Sequence, residues 1–245
     1  MTDVGLAAKR GGASVSRRGM LIVGMLAVSA SVSASVSAFA DEAWQPCTVK
    51  GDNREGVVVE KRAVAGSKFY EYRAKATTPV SPAVVMRGLW SGLTDKPRGA
   101  VTKRDVLRKS DSELVFYDQV KTPVVSDRDY TMRLWQVKDD KTGALGVRFE
   151  TANDLGPPPA SGYVRIPVVR GSWQIEPDAS GGARLTYQCY SEPGGSVPAF
   201  MVRGSQQDQV ANDMRRMLER AQKAASGTAA SAGTAASAES TAASK

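Results

Sequence analysis

Seven stretches of this chain alternate apolar and polar side chains with a period of two, the mark of half-buried strands. Residues 56–65 carry Val57, Val58 and Val59 before a run of charge. Residues 68–76 interleave Phe69, Tyr70 and Tyr72 with Glu71, Arg73 and Lys75, and 113–120 hold Leu114, Val115, Phe116 and Tyr117. In 130–137, Tyr130, Met132 and Leu134 alternate with Thr131 and Arg133. In 145–151, Leu145, Val147, Phe149 and Thr151 face away from Arg148 and Glu150. In 169–175, Val169, Gly171, Trp173 and Ile175 oppose Arg170, Ser172 and Gln174. In 184–190, Leu185, Tyr187 and Cys189 oppose Arg184, Thr186 and Gln188. Two segments switch to helical spacing. Val84, Val85, Gly88, Leu89 and Leu93 predict a short helix over 82–96, with Ser81 as cap and Pro82 at its first position. Val210, Met214, Met217, Leu218 and Ala221 predict a long amphipathic helix after Gly194, Gly195 and Ser196.

The turns suit meandering connections. Asp139-Asp140-Lys141-Thr142-Gly143 and Asp178-Ala179-Ser180-Gly181-Gly182 are hairpin-like. Pro157-Pro158-Pro159 stiffens a loop, since proline fits neither a helix interior nor a central strand. Strands, a short helix, more strands and a final long helix leave little room for a parallel sheet. An α+β fold of antiparallel strands closed by a helix is expected.

Both ends of the chain stand apart. Lys9, Arg10, Arg17 and Arg18 precede an apolar run from Met20 to Val28, and Ala38-Phe39-Ala40 fits a cleavage site before Asp41. Residues 1–40 are expected to be an export signal, by a twin-arginine or a general route, and the protein to be periplasmic or extracellular. An uncleaved anchor is the alternative, because 20–40 carry no charge. Residues 225–245 are almost wholly Ala, Ser, Thr and Gly and are expected to be disordered, which leaves 41–224 as one domain.

Net charge is +8, of which the first forty residues hold +3, so the mature chain carries +5 without any run like a nucleic-acid arm. No nucleic-acid partner is expected, and anionic lipid headgroups are left as a transient surface partner. There is no histidine, which removes the commonest general base and transition-metal ligand. No cofactor or metal is expected. Cys47 and Cys189 are the two cysteines, either bridged in an oxidising compartment or left as buried thiols.

An ordered series of motifs spans the second half of the folded region. These are Asp127-Arg128-Asp129-Tyr130, Ala152-Asn153-Asp154 with Pro159, Gly162-Tyr163-Val164-Arg165, Leu185-Thr186-Tyr187, and Pro193-Gly194-Gly195-Ser196-Val197-Pro198. The series resembles the START family, the steroidogenic-acute-regulatory-related lipid transfer domains. The resemblance implies a helix-grip fold, a curved antiparallel sheet wrapped around a long C-terminal helix with a tunnel for one lipid or sterol. It also implies a gate formed by that helix with a neighbouring loop, here about 138–144. One position departs from the family pattern. Where several sterol-binding and phospholipid-binding members carry a buried arginine, this chain has Leu134, and Arg133 points to the other face of a regular strand unless a bulge turns it.

The expected function is therefore non-catalytic carriage of a hydrophobic ligand, a lipid or sterol-like molecule, by a monomer. Val210, Met214 and Leu218 are candidate contacts from the roof helix. Tyr130, Met132, Leu134, Phe149 and Trp173 are candidates from the sheet, although each also suits an ordinary core. Arg128 and Asp129 read as structural, and Arg165 and Arg170 as solvated strand residues. Gly204 marks either a weak point in the roof helix or close packing against the sheet. Two other classes stay open. One is a helix-grip enzyme of the cyclase or dehydratase type, with Tyr187 or Glu150 as acid or base. The other is a protein-interaction module with a packed interior.

Overall fold

A computed structural model describes the backbone of residues 43–49, 56–93, 97, 99–123 and 125–242, with side chains as far as 227. The leader reading of 1–40 and its cleavage site lie outside the described residues. Every described residue belongs to one compact unit within Phe39–Lys245.

The elements are β1 (Gln45–Pro46), β2 (Val58–Ala63), β3 (Tyr70–Thr78), α1 (Pro82–Gly92), β4 (Val101–Lys109), β5 (Glu113–Val120), β6 (Arg128–Lys138), β7 (Leu145–Thr151), β8 (Val164–Arg165), β9 (Val168–Pro177), β10 (Ala183–Glu192) and α2 (Ala199–Ala242). A short 3-10 helix, Asn153–Leu155, follows β7. The strands form one curved sheet in the order β1-β2-β3-β10-β9-β7-β6-β5-β4. All neighbours along that path are antiparallel, and only β8, off it, runs parallel to β6. With α2 against it this is the helix-grip architecture, so the α+β class holds.

The alternating patterns set the faces. Tyr72, Ala74, Leu114, Phe116, Met132, Leu134, Val147, Phe149, Trp173, Ile175, Leu185 and Tyr187 join α2's Val210, Met214, Met217 and Leu218 in one buried cluster. α2 packs chiefly on β2, β3, β10 and α1, and α1 also reaches β7 and β9. The helices cross closely because α1 offers glycine. A Cβ on Gly88 would touch the Arg220 carbonyl at 3.4 Å, and one on Gly92 would strike the Arg220 guanidinium at 2.7 Å. Both predicted hairpin turns close as expected. The Gly143 N–H donates to the Asp139 carbonyl at 2.8 Å and the Gly181 N–H to the Asp178 carbonyl at 3.0 Å, with both glycines at positive φ.

Several expectations need correction. α1 begins at Pro82 but ends at Gly92, with Ser81 making no side-chain cap bond. β4 escaped the periodicity because its sequence, VTKRDVLRK, is polar on both faces of an edge strand. The turn at 139–144 joins β6 and β7. Gly204 is exposed with nothing within 4 Å of an added Cβ, so it is not a close-packing glycine. Helical backbone continues through 225–242, past the compositional boundary at 224. Alanine is the strongest helix former, and it is the commonest residue among the interspersed glycines, serines and threonines. None of the described helices is long and apolar enough to cross a membrane.

Candidate ligand site on the inner face of the sheet

Strand β6 fixes the site because it pairs without irregularity to β5, Leu134 opposite Leu114 and Met132 opposite Phe116. With no bulge, Arg133 stays on the outer face and its Nε donates to Glu113 at 2.6 Å. The position that departs from the family pattern is thus an apolar Leu134–Leu114 pair inside the sheet. Of the eight candidate contacts, Met132, Leu134, Phe149, Trp173, Val210, Met214 and Leu218 fall in the buried cluster, and Tyr130 is half-buried against it. The fold brings all eight to one face. Trp173 stacks on Tyr187 with ring centres 4.2 Å apart, and Phe149 tilts against the same tyrosine at 6.1 Å.

Polar groups interrupt this apolar surface at places the sequence reading missed. Asp118, fully buried on β5, accepts bonds from Arg104 Nε at 2.8 Å and Nη2 at 2.6 Å, and from the Tyr130 hydroxyl at 3.2 Å. Arg104 also ties down the end of α1, donating through Nη1 to the Leu93 carbonyl at 2.9 Å. On the other side, the Tyr187 hydroxyl interacts with the Cys189 thiol and with the Asp213 carboxyl of α2. Asp213 also accepts two bonds from Gln209 at 3.1 Å and pairs with Arg216. Asp118 carried a readable signal, an acid in the same alternating register as Leu114 and Phe116. Asp213 did not, being one acid on a helix full of polar residues.

Burial shapes the titration of this face. It pushes the Cys189 thiol up to about 12 and the Tyr187 and Tyr130 hydroxyls well above their usual 10. It also raises the Asp213 carboxyl above its usual 3.8, against the opposing pull of Arg216 and Gln209. Cys47 and Cys189 are both free thiols, and Cys47 is likewise raised by burial.

The outer face of β6 carries the other half of the motif series. Burial alone would raise the Asp129 carboxyl, but Arg165 Nε at 2.8 Å, the Ala160 N–H at 2.8 Å and the Tyr117 hydroxyl at 2.9 Å together hold it below its usual range. Arg165 is therefore a part-buried ion-pair partner, not a solvated strand residue. Arg170 lies over the Tyr190 ring at 4.3 Å. Asn153 accepts from the Thr131 N–H at 2.9 Å and donates to the Ile166 carbonyl at 2.9 Å. Arg128 reaches the carbonyls of Pro193, Gly194 and Ser126. These residues clamp the 152–167 segment and the 193–194 turn to the sheet, and the structural reading of Arg128 and Asp129 holds.

Comparison with known proteins agrees with this architecture. Residues 109–227 match the START domain model. The chain is 26% identical to the STAR-related lipid transfer protein of Xanthomonas axonopodis, whose structure superposes with a TM-score of 0.62 over 74% of this chain and 99% of that one. Human StAR-related lipid transfer protein 5 shares the fold at 16% identity and a TM-score of 0.58, over 76% and 89% of the two chains. The mouse phosphatidylcholine transfer protein is 23% identical over 68% of this chain and 80% of its own length. An uncharacterized protein of Pseudomonas aeruginosa is 25% identical over 70% and 85%. Over residues 109–227 the chain is thus similar to the START domain family, and its fold agrees.

Proposed function

We propose that this protein binds and transfers a hydrophobic ligand, without catalysis, in a space between the inner face of the sheet and α2. One observation carries the reading. Tyr130, Cys189 and Asp213 are hemmed in by protein atoms, yet all three keep accessible surface, 25% of the side chain for Asp213. A packed core leaves no such surface, whereas a hollow one does. Val210, Leu218, Met132, Leu134, Phe149 and Trp173, each with a small residual surface, supply its apolar walls, and Met214 is fully buried among them. Apolar burial is worth ~25 cal/mol per Å², so an acyl chain or a fused-ring lipid gains on the order of several kcal/mol on entry without any charged contact. Methionines at 132 and 214 suit ligands of varied shape.

Neither base named for the enzyme reading is in place. Glu150 is exposed on the outer face, and the buried Tyr187 hydroxyl stays protonated at neutral pH. Export to the periplasm or beyond follows from the leader reading. Transient contact with a membrane surface is supported by Phe200, 77% exposed, and its neighbour Met201 at the start of α2. The test is native mass spectrometry of the protein purified from its own host, alongside uptake of a fluorescent fatty acid from vesicles. A co-purifying hydrophobic molecule and measurable uptake are expected, and Met214→Arg should abolish both. A protein that carries nothing and takes up nothing is a packed interaction module instead.

A further inference from the structure

The inner face is apolar except along one line, and that line is already neutralised. Arg104, Asp118 and Tyr130 stand side by side on β4, β5 and β6, in direct register. Across from them, Tyr187 on β10 meets Asp213 on α2, and Tyr130 and Tyr187 lie within electrostatic range of each other. The chemistry of this line says what it can hold. A buried phosphate needs a cation not already committed elsewhere. Among the described residues, the two arginines that the strand register sets beside Tyr130 are both occupied. Arg104 is fixed in a two-pronged pair with Asp118, and Arg128 is engaged by three backbone carbonyls. Position 134 adds no third. Hydroxyl chemistry, in contrast, is provided for. The Tyr130 hydroxyl uses its proton on Asp118 and keeps acceptor lone pairs, while Tyr187 and Asp213 offer a hydroxyl and a carboxyl, the latter with a quarter of its side-chain surface accessible.

We propose that the interior selects a neutral lipid bearing a hydroxyl group, seats that hydroxyl between Tyr130 and the Tyr187–Asp213 pair, and discriminates against phospholipid. This rests on the carrier reading above and adds the ligand class to it.

The test compares three probes on the full-length, delipidated protein: a pyrene-labelled long-chain alcohol, the matching pyrene-labelled alkane, and pyrene-labelled phosphatidylcholine. Tyr187→Phe keeps the ring stacked on Trp173 and removes only the hydroxyl. It should weaken the alcohol about tenfold and leave the alkane unchanged, as expected for one buried hydrogen bond. Tyr130→Phe and Asp213→Asn, read the same way, guard against a variant that fails to fold, with melting temperature as the check. Phosphatidylcholine should bind more weakly than the alcohol. If the three variants leave the alcohol untouched, or weaken alcohol and alkane alike, the subsite is wrong while carriage stands. Tighter binding of phosphatidylcholine overturns it too. Failure of every probe to bind removes the carrier reading and this proposal with it.

Discussion

Strand β6 presents opposite chemistry on its two faces. Outward, Asp129, Thr131 and Arg133 are each engaged by a named partner, and the 152–167 segment is bolted over the first two. Inward, Tyr130, Met132 and Leu134 meet mostly apolar side chains, with one hydroxyl tied to Asp118. The residues that make the family recognisable lie mainly on the outer face and in the loop it holds. The residues that would distinguish one ligand from another lie on the inner face and belong to none of the motifs except Tyr130 and Tyr187. The outer face thus builds the domain and the inner face equips it, so the two should fail in different ways.

The largest effect is expected outside. Asp129→Asn leaves Arg165, a largely covered cation, without its buried counter-charge, a loss of about 3 kcal/mol measurable by urea unfolding. The acid dependence should change with it. Because the folded carboxyl sits below 3.8, its stabilising contribution is present above that pH and is lost as pH falls through the folded value. The asparagine variant should lack that loss. Ligand uptake by the folded fraction should be normal, and a selective loss of uptake would break the division between the faces.

The next test stays on the outer face but removes no charge. Gly156 lies against Thr131, and an added Cβ would overlap Thr131 Oγ1. Gly156→Ala therefore forces the 152–167 segment off the strand, at about 1–3 kcal/mol, again with uptake spared. Equal stability of the variant and the natural protein, by thermal unfolding, would mean that the segment is not held tightly.

The two faces were also unequally legible. Strands 113–120 and 145–151 could be bounded to the residue, the first as a continuous apolar run and the second because alternation with one buried side admits a single register. The roof helix's inner side was equally plain from Val210, Met214, Met217 and Leu218. What stayed hidden were contacts made by polar residues far apart in the chain. The sequence marks Arg165 as one more strand arginine, and only the fold carries it 36 residues back to Asp129. Arg104 sits in an edge strand whose alternation is masked by charge, so neither the strand nor its pair with Asp118 could be read. Asp213 looks like helix surface until the curvature of the sheet brings Tyr187 beneath it.

Asp213 gives the smallest and most specific test of the inner face. Its carboxyl is raised by burial, the opposite of Asp129. An unfolded chain ionises this acid near its usual 3.8, before the folded protein does, so the folded state loses relative stability as pH climbs from there through the raised folded value. Above that value the cost is constant. An asparagine at this position cannot ionise and carries no such cost, and Arg216, half exposed, returns to water cheaply. The stability of Asp213→Asn relative to the natural protein should therefore rise with pH across this window and then level off. Melting temperatures of both proteins from pH 3 to 7 read the difference directly, with Asp129 cancelling because both contain it. A difference that is flat with pH, or that falls, would place Asp213 in open solvent and leave the inner face without its roof-side polar group.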